Sequence, residues 1–458
     1  MAGTVTEPAP RPPPGPPRAV ARTLVALARD RLGTLERLKR EHGDVVAFDL
    51  LKTRVVLVSH PDDVRDVLAT HATRYAKSGS IAAAGKVLGE GLVTSEGAKH
   101  RRHKRMIAPV FNHARVADLV PFLAQEAGAA RDGRFADGTV VDVDREMTRL
   151  ALRSVARTLF GLEMDEGDAA EILEALNRVV EVFEFAFLPF PDVVEWIPFP
   201  PIVRFRLARR RLDRAVRSMV AARRAALAAG RSPSDLLDLL LTATDEAGGP
   251  GFDDTEVRDE VVTLLLAGAE TTARALAWTW WQLAANAEAE SRLHAEVDAL
   301  GGRAPTAAET RALPWTRAVL SESMRLMPPV WILGREALED HAIGGYAVPR
   351  GATVAVSQWL VHRDPRWWGD DALAFDPARF LAPAPERPRF AYFPFGGGPR
   401  VCVGEGYAWT AGVVALATLA QRLRFERPAD AAAPRLKPGV SLRPKGGLPM
   451  RVAARSID

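Results

Sequence analysis

The chain has 458 residues, 47% of them hydrophobic and 26% charged, the balance of a globular protein with a large core and not of a disordered or fibrous one. Lys and Arg number 61 against 57 Asp and Glu, a formal charge of only +4, too small a surplus to predict a nucleic-acid partner. A single cysteine excludes an intramolecular disulfide and suits a reducing cytoplasm, which leaves the thiol as a buried side chain, a nucleophile or a metal ligand.

The opening stretch, "MAGTVTEPAPRPPPGPPRAV", lacks the apolar core of a signal peptide. Nowhere does the chain reach the run of about 20 apolar residues that spans a bilayer, so a soluble, cytoplasmic protein without a membrane anchor is expected. Residues 1–20 read as a flexible, proline-rich tail. "ARTLVALARDRLGTLERLKREHG" follows with helical periodicity, and "DVVAFDLLKTRVVLVS" gives two short β-rich runs with a turn near Leu51 to Thr53. From His60 to about Asn286 the pattern is almost wholly helical, broken by the aromatic and proline-rich stretch between Phe183 and Pro201. Asp253 stands three residues before Glu256, a capping box that opens a helix apolar nearly all round, as suits a helix running through the interior. "WTRAVLSESMRLMPPV" reads as a helix stopped by Pro328 and Pro329, "HAIGGYAVPRGATVAVS" alternates like strands, and "GYAWTAGVVALATLAQRL" gives a last helix. No internal repeat and no linker interrupts the chain after residue 40, so residues 21–458 are expected to form one helix-rich domain.

Four places combine residue types that carry chemistry. In "FGGGPRVCVGEG" the glycines let the backbone fold closely around Cys402, and the helix that follows aims its first N–H groups at the sulfur, which favours a thiolate. A lone cysteine is more often an inert buried side chain, so the loop alone does not decide. "AGAETT" sets Glu270 and Thr271 in the middle of the apolar helix, where an acid and an alcohol cost free energy unless hydrogen-bonded or functional. Its small residues leave room for a ligand; the plain alternative is a satisfied threonine beside an outward glutamate. Glu322 and Arg325 are spaced i, i+3 and share a helix face. The basic run "KHRRHKR" puts His100 and Lys104 one turn apart, most simply on a solvated face.

The run Phe395, Gly396, Gly398, Arg400, Cys402 and Gly404 resembles the haem-binding loop of the cytochrome P450 family, Phe-x-x-Gly-x-Arg-x-Cys-x-Gly, at every specified position. The resemblance extends from about residue 40 to the C-terminus, with all four places in the family's order. It implies a mostly helical P450 fold with small β-sheets, and haem b (iron protoporphyrin IX) buried between the long central helix and the cysteine loop. By that resemblance Cys402 is the metal ligand, Phe395 shields its sulfur, and Arg400 and Arg335 pair with haem propionates. His100 and Lys104 stand where the family usually has Trp or His and then Arg, so lysine replaces arginine as a propionate partner here. On the distal side Thr271 would steady dioxygen and its water, and Glu270 would relay protons inward. Glu322, Arg325 and Arg379 of "FDPARF" resemble the family's buried Glu-Arg-Arg network, which holds the cysteine loop. Substrate would meet Leu266, Ala267 and Thr271, Val330, Trp331 and Ile332, the loop from Gly439 to Ser441, and the aromatics between Phe183 and Phe199. Trp278, Trp280 and Trp281 read as core.

The activity so implied is monooxygenation, the insertion of one oxygen atom from O2 into a C–H bond of a hydrophobic small molecule. The chain ends about fifty residues after the cysteine, so electrons are expected from an external ferredoxin and ferredoxin reductase. A peroxide-driven peroxygenase on the same fold would not need the Glu270–Thr271 pair, and a non-catalytic haem-binding protein would have no use for the hexad around it. A cysteine hydrolase wants a base, and no histidine stands near Cys402 in the sequence. The stretch from Arg325 to Pro365 looks most like bacterial P450s that oxidise terpenes and next like bacterial fatty-acid hydroxylases, so a terpenoid is the first expectation and a fatty acid the second. A monomer with no nucleic-acid partner is expected.

Overall fold

In the computed structural model of the chain, residues 10–16, 20–51, 53–163, 167, 200–232, 235–244, 251–384, 386–428 and 432–455 are described. The aromatic stretch from Phe183 to Phe199 lies outside them, as do residues 1–9 of the proline-rich tail. The chain forms two compact units, each assembled from stretches distant in sequence. One comprises residues 1–79, 331–372 and 384–401, the other residues 80–330, 373–383 and 402–458.

In the first unit, the helix expected after the tail is two helices, Val20–Arg29 and Arg31–His42. Asp30 divides them: it is extended, with φ −151°, and its carboxylate accepts from the Gly33 N–H at 3.0 Å, so a local cap replaces a helical turn. Val45–Leu50 and Thr53–Val58 form the expected hairpin, Val45 opposite Val58 and Leu50 opposite Thr53. Thr53–Val58 then pairs in parallel with Thr353–Val356, which pairs antiparallel with Leu333–Ala337, and that strand pairs with Tyr75–Lys77. Val56, Val58, Val354 and Val356, on two neighbouring strands of this five-stranded sheet, are fully buried. Part of the segment expected to be flexible is docked here. The Arg11 carbonyl accepts from Ala347 N–H and the Pro14 carbonyl from Ala47 N–H, each at 2.8 Å. Proline cannot donate but still accepts, so residues 10–16 lie along strand backbone without demanding a full ladder.

The second unit is built on the helix Asp254–Leu283, called the central helix below. Its capping box is present: Glu256 N–H donates to Asp253 Oδ1 at 2.8 Å and Asp253 N–H to Glu256 Oε2 at 3.3 Å. From Val257 to Leu283 every residue is buried except Leu266, Ala267, Gly268 and Thr271, which is why the sequence is apolar nearly all round. The helix packs along Val143–Phe160. A Cβ on Gly268 would stand 3.0 Å from Val155 Cγ2, so the glycine of the hexad serves close helix packing where the sequence suggested room for a ligand. Trp278 and Trp280 are fully buried and Trp281 nearly so. The helix Pro314–Leu326 ends just ahead of Pro328, and Glu405–Ala420 packs against it and against Val120–Arg134. A three-stranded sheet of Val140–Asp142, Pro449–Ala454 and Leu423–Glu426 and a hairpin of Leu436–Pro438 with Leu442–Pro444 complete the unit. Among the described residues no helix is long and apolar enough to cross a membrane.

Candidate active site

Ahead of the cysteine, the loop is held by its own backbone. Gly398 has φ 66°, and a Cβ there would fall 1.9 Å from the Leu68 carbonyl oxygen, so only glycine fits. Val401 N–H donates to the Gly398 carbonyl at 3.0 Å, Gly396 N–H to the Phe393 carbonyl at 2.9 Å, and Phe393 N–H to His362 Nε2 at 2.9 Å. Gly404 precedes the helix Glu405–Ala420, and its N–H donates to the Cys402 sulfur. The sulfur is exposed yet deeply set. Burial, with the Glu405 carboxylate, pushes the thiol up to about 11 against the Gly404 N–H and the Lys104 ammonium. Left to itself it stays protonated at neutral pH, and a bound metal ion is what would make it a thiolate. Among the described residues no group of three or more His, Cys, Asp or Glu could hold a metal ion. One open sulfur fits a metal that arrives with its other ligands already attached, which is the donor set of haem iron.

Of the residues singled out in the sequence, His100 and Lys104 lie on the helix Gly97–Ile107, His100 buried and Lys104 half-buried with its charge felt at Cys402. They share the second unit with Cys402, Gly404, Leu266, Ala267, Glu270, Thr271, Val330 and Ser441. Trp331, Ile332, Arg335, Phe395, Gly396 and Arg400 belong to the first. Arg335 sits on the strand Leu333–Ala337 and donates to the Gly334 carbonyl at 3.0 Å. Trp331 is buried, and its carbonyl accepts from Ser357 Oγ at 2.9 Å and Trp359 N–H at 3.2 Å. Val330 and Ile332 keep part of their surface.

On the central helix, Ala267 and Thr271 are one turn apart and, with Leu266, partly exposed in an otherwise buried element. Thr271 Oγ1 donates to the Ala267 carbonyl at 2.8 Å, the ordinary back-bond of a helical threonine. Glu270, next in sequence, points elsewhere and is neither outward nor solvated, being 6% exposed. Arg443 grips it bidentately, Nε to Oε1 at 2.6 Å and Nη2 to Oε2 at 2.5 Å, Ser441 Oγ donates to Oε1, and Arg274 Nε lies 3.8 Å away. Burial opposes its ionisation, yet the Arg274 and Arg443 guanidiniums and these hydrogen bonds hold the carboxyl down at about 2. A carboxyl lowered on folding stabilises fully above its ordinary value of 4.5 and loses that contribution as pH falls to about 2. Acid unfolding of Glu270→Gln should therefore be shallower than the parent's across that window, as followed by circular dichroism. Ser441 is itself buried, with its hydroxyl engaged by Glu270.

Glu322 and Arg325 are fully buried and bidentate, Nε to Oε2 and Nη2 to Oε1 at 2.6 Å each. Arg379 stands 3.6 Å from Glu322 Oε1, which also accepts from Asp376 N–H at 2.9 Å, while Arg325 donates to the Ala374 carbonyl at 3.1 Å. The three residues named from the sequence are thus brought together. Sequence reading missed a second buried pair. His103, on the helix that carries His100, meets Glu260 Oε1 through Nδ1 at 2.5 Å and Glu256 Oε1 through Nε2 at 3.3 Å, and His103 and Glu260 are fully buried. Its place in a basic run hid it; the only signal was an imidazole on the face of Ile107. His103→Ala leaves Glu260 with the Leu92 N–H, at 3.1 Å, among its remaining partners. The expected loss is about 3–5 kcal/mol, read as a lower denaturant midpoint, with part recovered in His103→Gln.

The cytochrome P450 family model matches residues 12–449. This chain is a cytochrome P450. The P450 is 38% identical over 404 residues to cyclooctatin synthase of Streptomyces melanosporofaciens, covering 88% of this chain and 87% of that one. It is 34% identical over 397 residues to pentalenene oxygenase of Streptomyces avermitilis, covering 85% and 86%. The crystal structure of CYP175A1 from Thermus thermophilus matches with a TM-score of 0.76 at 26% identity, over 96% of this chain and all of that one. The helix-rich architecture with small sheets is therefore the P450 fold. As a P450 the protein is an oxygenase enzyme with a haem cofactor, and it needs dioxygen, an organic substrate and a redox partner.

Proposed function

We propose that this P450 hydroxylates an apolar terpenoid. The observation that carries the reading is the accessible patch of Leu266, Ala267 and Thr271 on an otherwise buried helix. It offers two apolar side chains and one hydroxyl, and the neighbouring carboxylate is already paired. An uncharged wall suits a hydrocarbon skeleton better than a fatty acid, whose carboxylate would need a cationic anchor. Relatives named as terpene oxygenases support the same class.

Cys402 would hold the haem, assigned as haem b, and when bound that group would supply the activation of dioxygen that places one oxygen atom in a C–H bond and, with two electrons and two protons, releases the other as water. Gly404 N–H steadies the ligating sulfur, and Phe395 and Gly396 are assigned to covering it. Arg335, Arg400 and Lys104, with His100, are assigned to the haem carboxylates, to which cations are matched. Thr271 can turn its hydroxyl from the Ala267 carbonyl to hold a water and its proton on the accessible face, while Leu266 and Ala267 keep bulk water out. Electrons are assigned to a ferredoxin and its reductase. The exposed Arg101 and Arg105 on the helix Gly97–Ile107 suit an acidic donor. Turnover by the purified chain with NADPH alone would count against that assignment.

The test is an optical titration of the ferric protein with a sesquiterpene, a long-chain fatty acid and a steroid, followed by product analysis with ferredoxin, reductase and O2. A saturable Soret shift and a hydroxylated product with the sesquiterpene are expected. A response to the fatty acid or steroid alone overturns the substrate class. Turnover with hydrogen peroxide but not with O2 and electrons makes the protein a peroxygenase, and binding without turnover under either condition makes it a haem-binding protein.

A further inference from the structure

Phe111 ends the 3₁₀ turn Ala108–Phe111, and local chemistry leaves it little freedom. Pro109 fixes the backbone of the turn, and its carbonyl accepts from Asn112 N–H at 3.4 Å. Asn112 then caps the helix His113–Asp118, its Oδ1 accepting from Arg115 N–H at 2.9 Å. The ring held between these two devices is half-buried, and it packs on the same hydrophobic cluster as Val403 and Tyr407. It meets Tyr407 edge-on, with ring centroids 6.3 Å apart and planes at 80°. Tyr407 is itself buried, and its hydroxyl lies 3.0 Å from Thr158 Oγ1. Thr158 spends its one proton on the Ser154 carbonyl at 2.5 Å, so the tyrosine donates and its ring is pinned at the far end.

Between Val403 and Tyr407 comes Gly404, whose N–H donates to the Cys402 sulfur. A Cβ on Gly404 would lie 3.8 Å from Phe111 Cε1 and 4.0 Å from Cys402 Sγ. The space beside Gly404 is therefore walled by the ring on one side and the sulfur on the other. Gly406 continues the contact, since a Cβ there would lie 3.8 Å from the Phe111 carbonyl oxygen.

We propose that Phe111 is a positioning residue for the haem ligand: its ring covers the flank of Gly404, keeps water from the N–H that serves the Cys402 sulfur, and so holds the reduction potential of the iron low. The proposal rests on Cys402 ligating the haem iron. Water admitted beside Gly404 would compete for the N–H and could itself donate to the sulfur. A ferric ion, a dianionic porphyrin ring and a thiolate sum to zero charge, and reduction leaves one negative charge. Polar surroundings favour the charged state over the neutral one, so water at the sulfur raises the potential and an apolar cover lowers it.

The test uses the holoenzyme of the full chain and the variants Phe111→Ala, Phe111→Leu and Phe111→Asn. Leucine and asparagine are alike in size and opposite in polarity, so a cavity left by the lost ring is common to both. Phe135→Ala is the control for a plain packing loss, because Phe135 is buried edge-on against Phe425 of the three-stranded sheet, with ring centroids 5.3 Å apart. Spectroelectrochemical titration should show the ferric–ferrous equilibrium of the alanine and asparagine variants moved toward ferrous about tenfold, or about 59 mV for one electron. Phe111→Leu should stay within about twofold of the parent, because it keeps an apolar cover. Hydrogen–deuterium exchange of the peptide spanning 402–410 should quicken severalfold in the alanine and asparagine variants and not in the leucine variant. Phe135→Ala should lower the denaturant midpoint and leave both readings at the parent's values. The parent's potential in the alanine and asparagine variants, equal shifts in the leucine and asparagine variants, or the same shift in Phe135→Ala would overturn the proposal. If Phe111→Ala does not retain haem, the leucine and asparagine pair decides by the same criterion. A parent protein without the thiolate-type ferrous–CO band sinks the ligand assignment and the proposal with it, whereas a parent with that band and variants with an unmoved potential sink the proposal alone.

Discussion

Replacing Cys402 by serine abolishes the thiolate-type ferrous–CO band and lowers oxygenase activity by more than the roughly 100-fold that loss of a supporting residue around a metal typically costs. Cys402 is the only cysteine of the chain, and no cluster among the described residues offers a replacement donor set. A thiol held at about 11 by burial still ionises when a metal ion binds it; an alcohol at the same place does not. Cys402→His separates ligation from sulfur chemistry. It should retain haem better than the serine variant, give a band of imidazole type, and remain inactive as an oxygenase, because the electron donation that favours O–O cleavage comes from the thiolate. Either variant retaining the parent's band and turnover would show that Cys402 is not the ligand.

Breaking the Glu322–Arg325 pair is expected to destabilise the protein by about 3–5 kcal/mol. The same i, i+3 spacing joins Arg65 to Asp62 at 3.0 Å, but there the side chains are 51% and 54% exposed against 0% for both members of the buried pair. Water competes for the exposed ions, so Asp62→Ala should change stability by about 0–1 kcal/mol. Arg325→Ala strands Glu322 in the core with Arg379 at 3.6 Å and the Asp376 N–H as its remaining partners. It also frees the Ala374 carbonyl that Arg325 holds. Denaturant unfolding of the two variants side by side, with haem content measured on each, checks the contrast. Equal effects would mean that burial does not set the strength of the pair. Glu322→Gln, which keeps an acceptor for Asp376 but loses the charge, should fall between them.

Local chemistry carried much of this from the sequence. The cap at Asp253 and Glu256 forms as its spacing demands, the helix before Pro328 stops where proline removes a donor, and Gly396 and Gly398 ahead of Cys402 take the positive φ that favours glycine. Asp30 was also local, but its cap competed with a continuous helical pattern, and the cap won. The sheet was only half legible. Its hairpin joins neighbours in sequence, whereas the parallel partner of Thr53–Val58 arrives from residues 353–356.

The sequence by itself determined which groups are available: one thiol in a glycine loop, an acid and an alcohol on a buried helix, and a Glu-x-x-Arg pair. It could do so because short-range sterics and hydrogen bonding depend on neighbours along the chain. Only the tertiary structure decided what those groups are doing. Glu270 is a paired anion because Arg443, 173 residues away, folds back onto it, and Gly268 is a packing contact because Val155 stands opposite. His103 is a buried hydrogen-bond partner because Glu260 faces it across two helices. The charge state and solvation of a side chain are set by whatever lies within a few ångströms, and chain segments far apart in sequence supply most of that surrounding only after the core has closed.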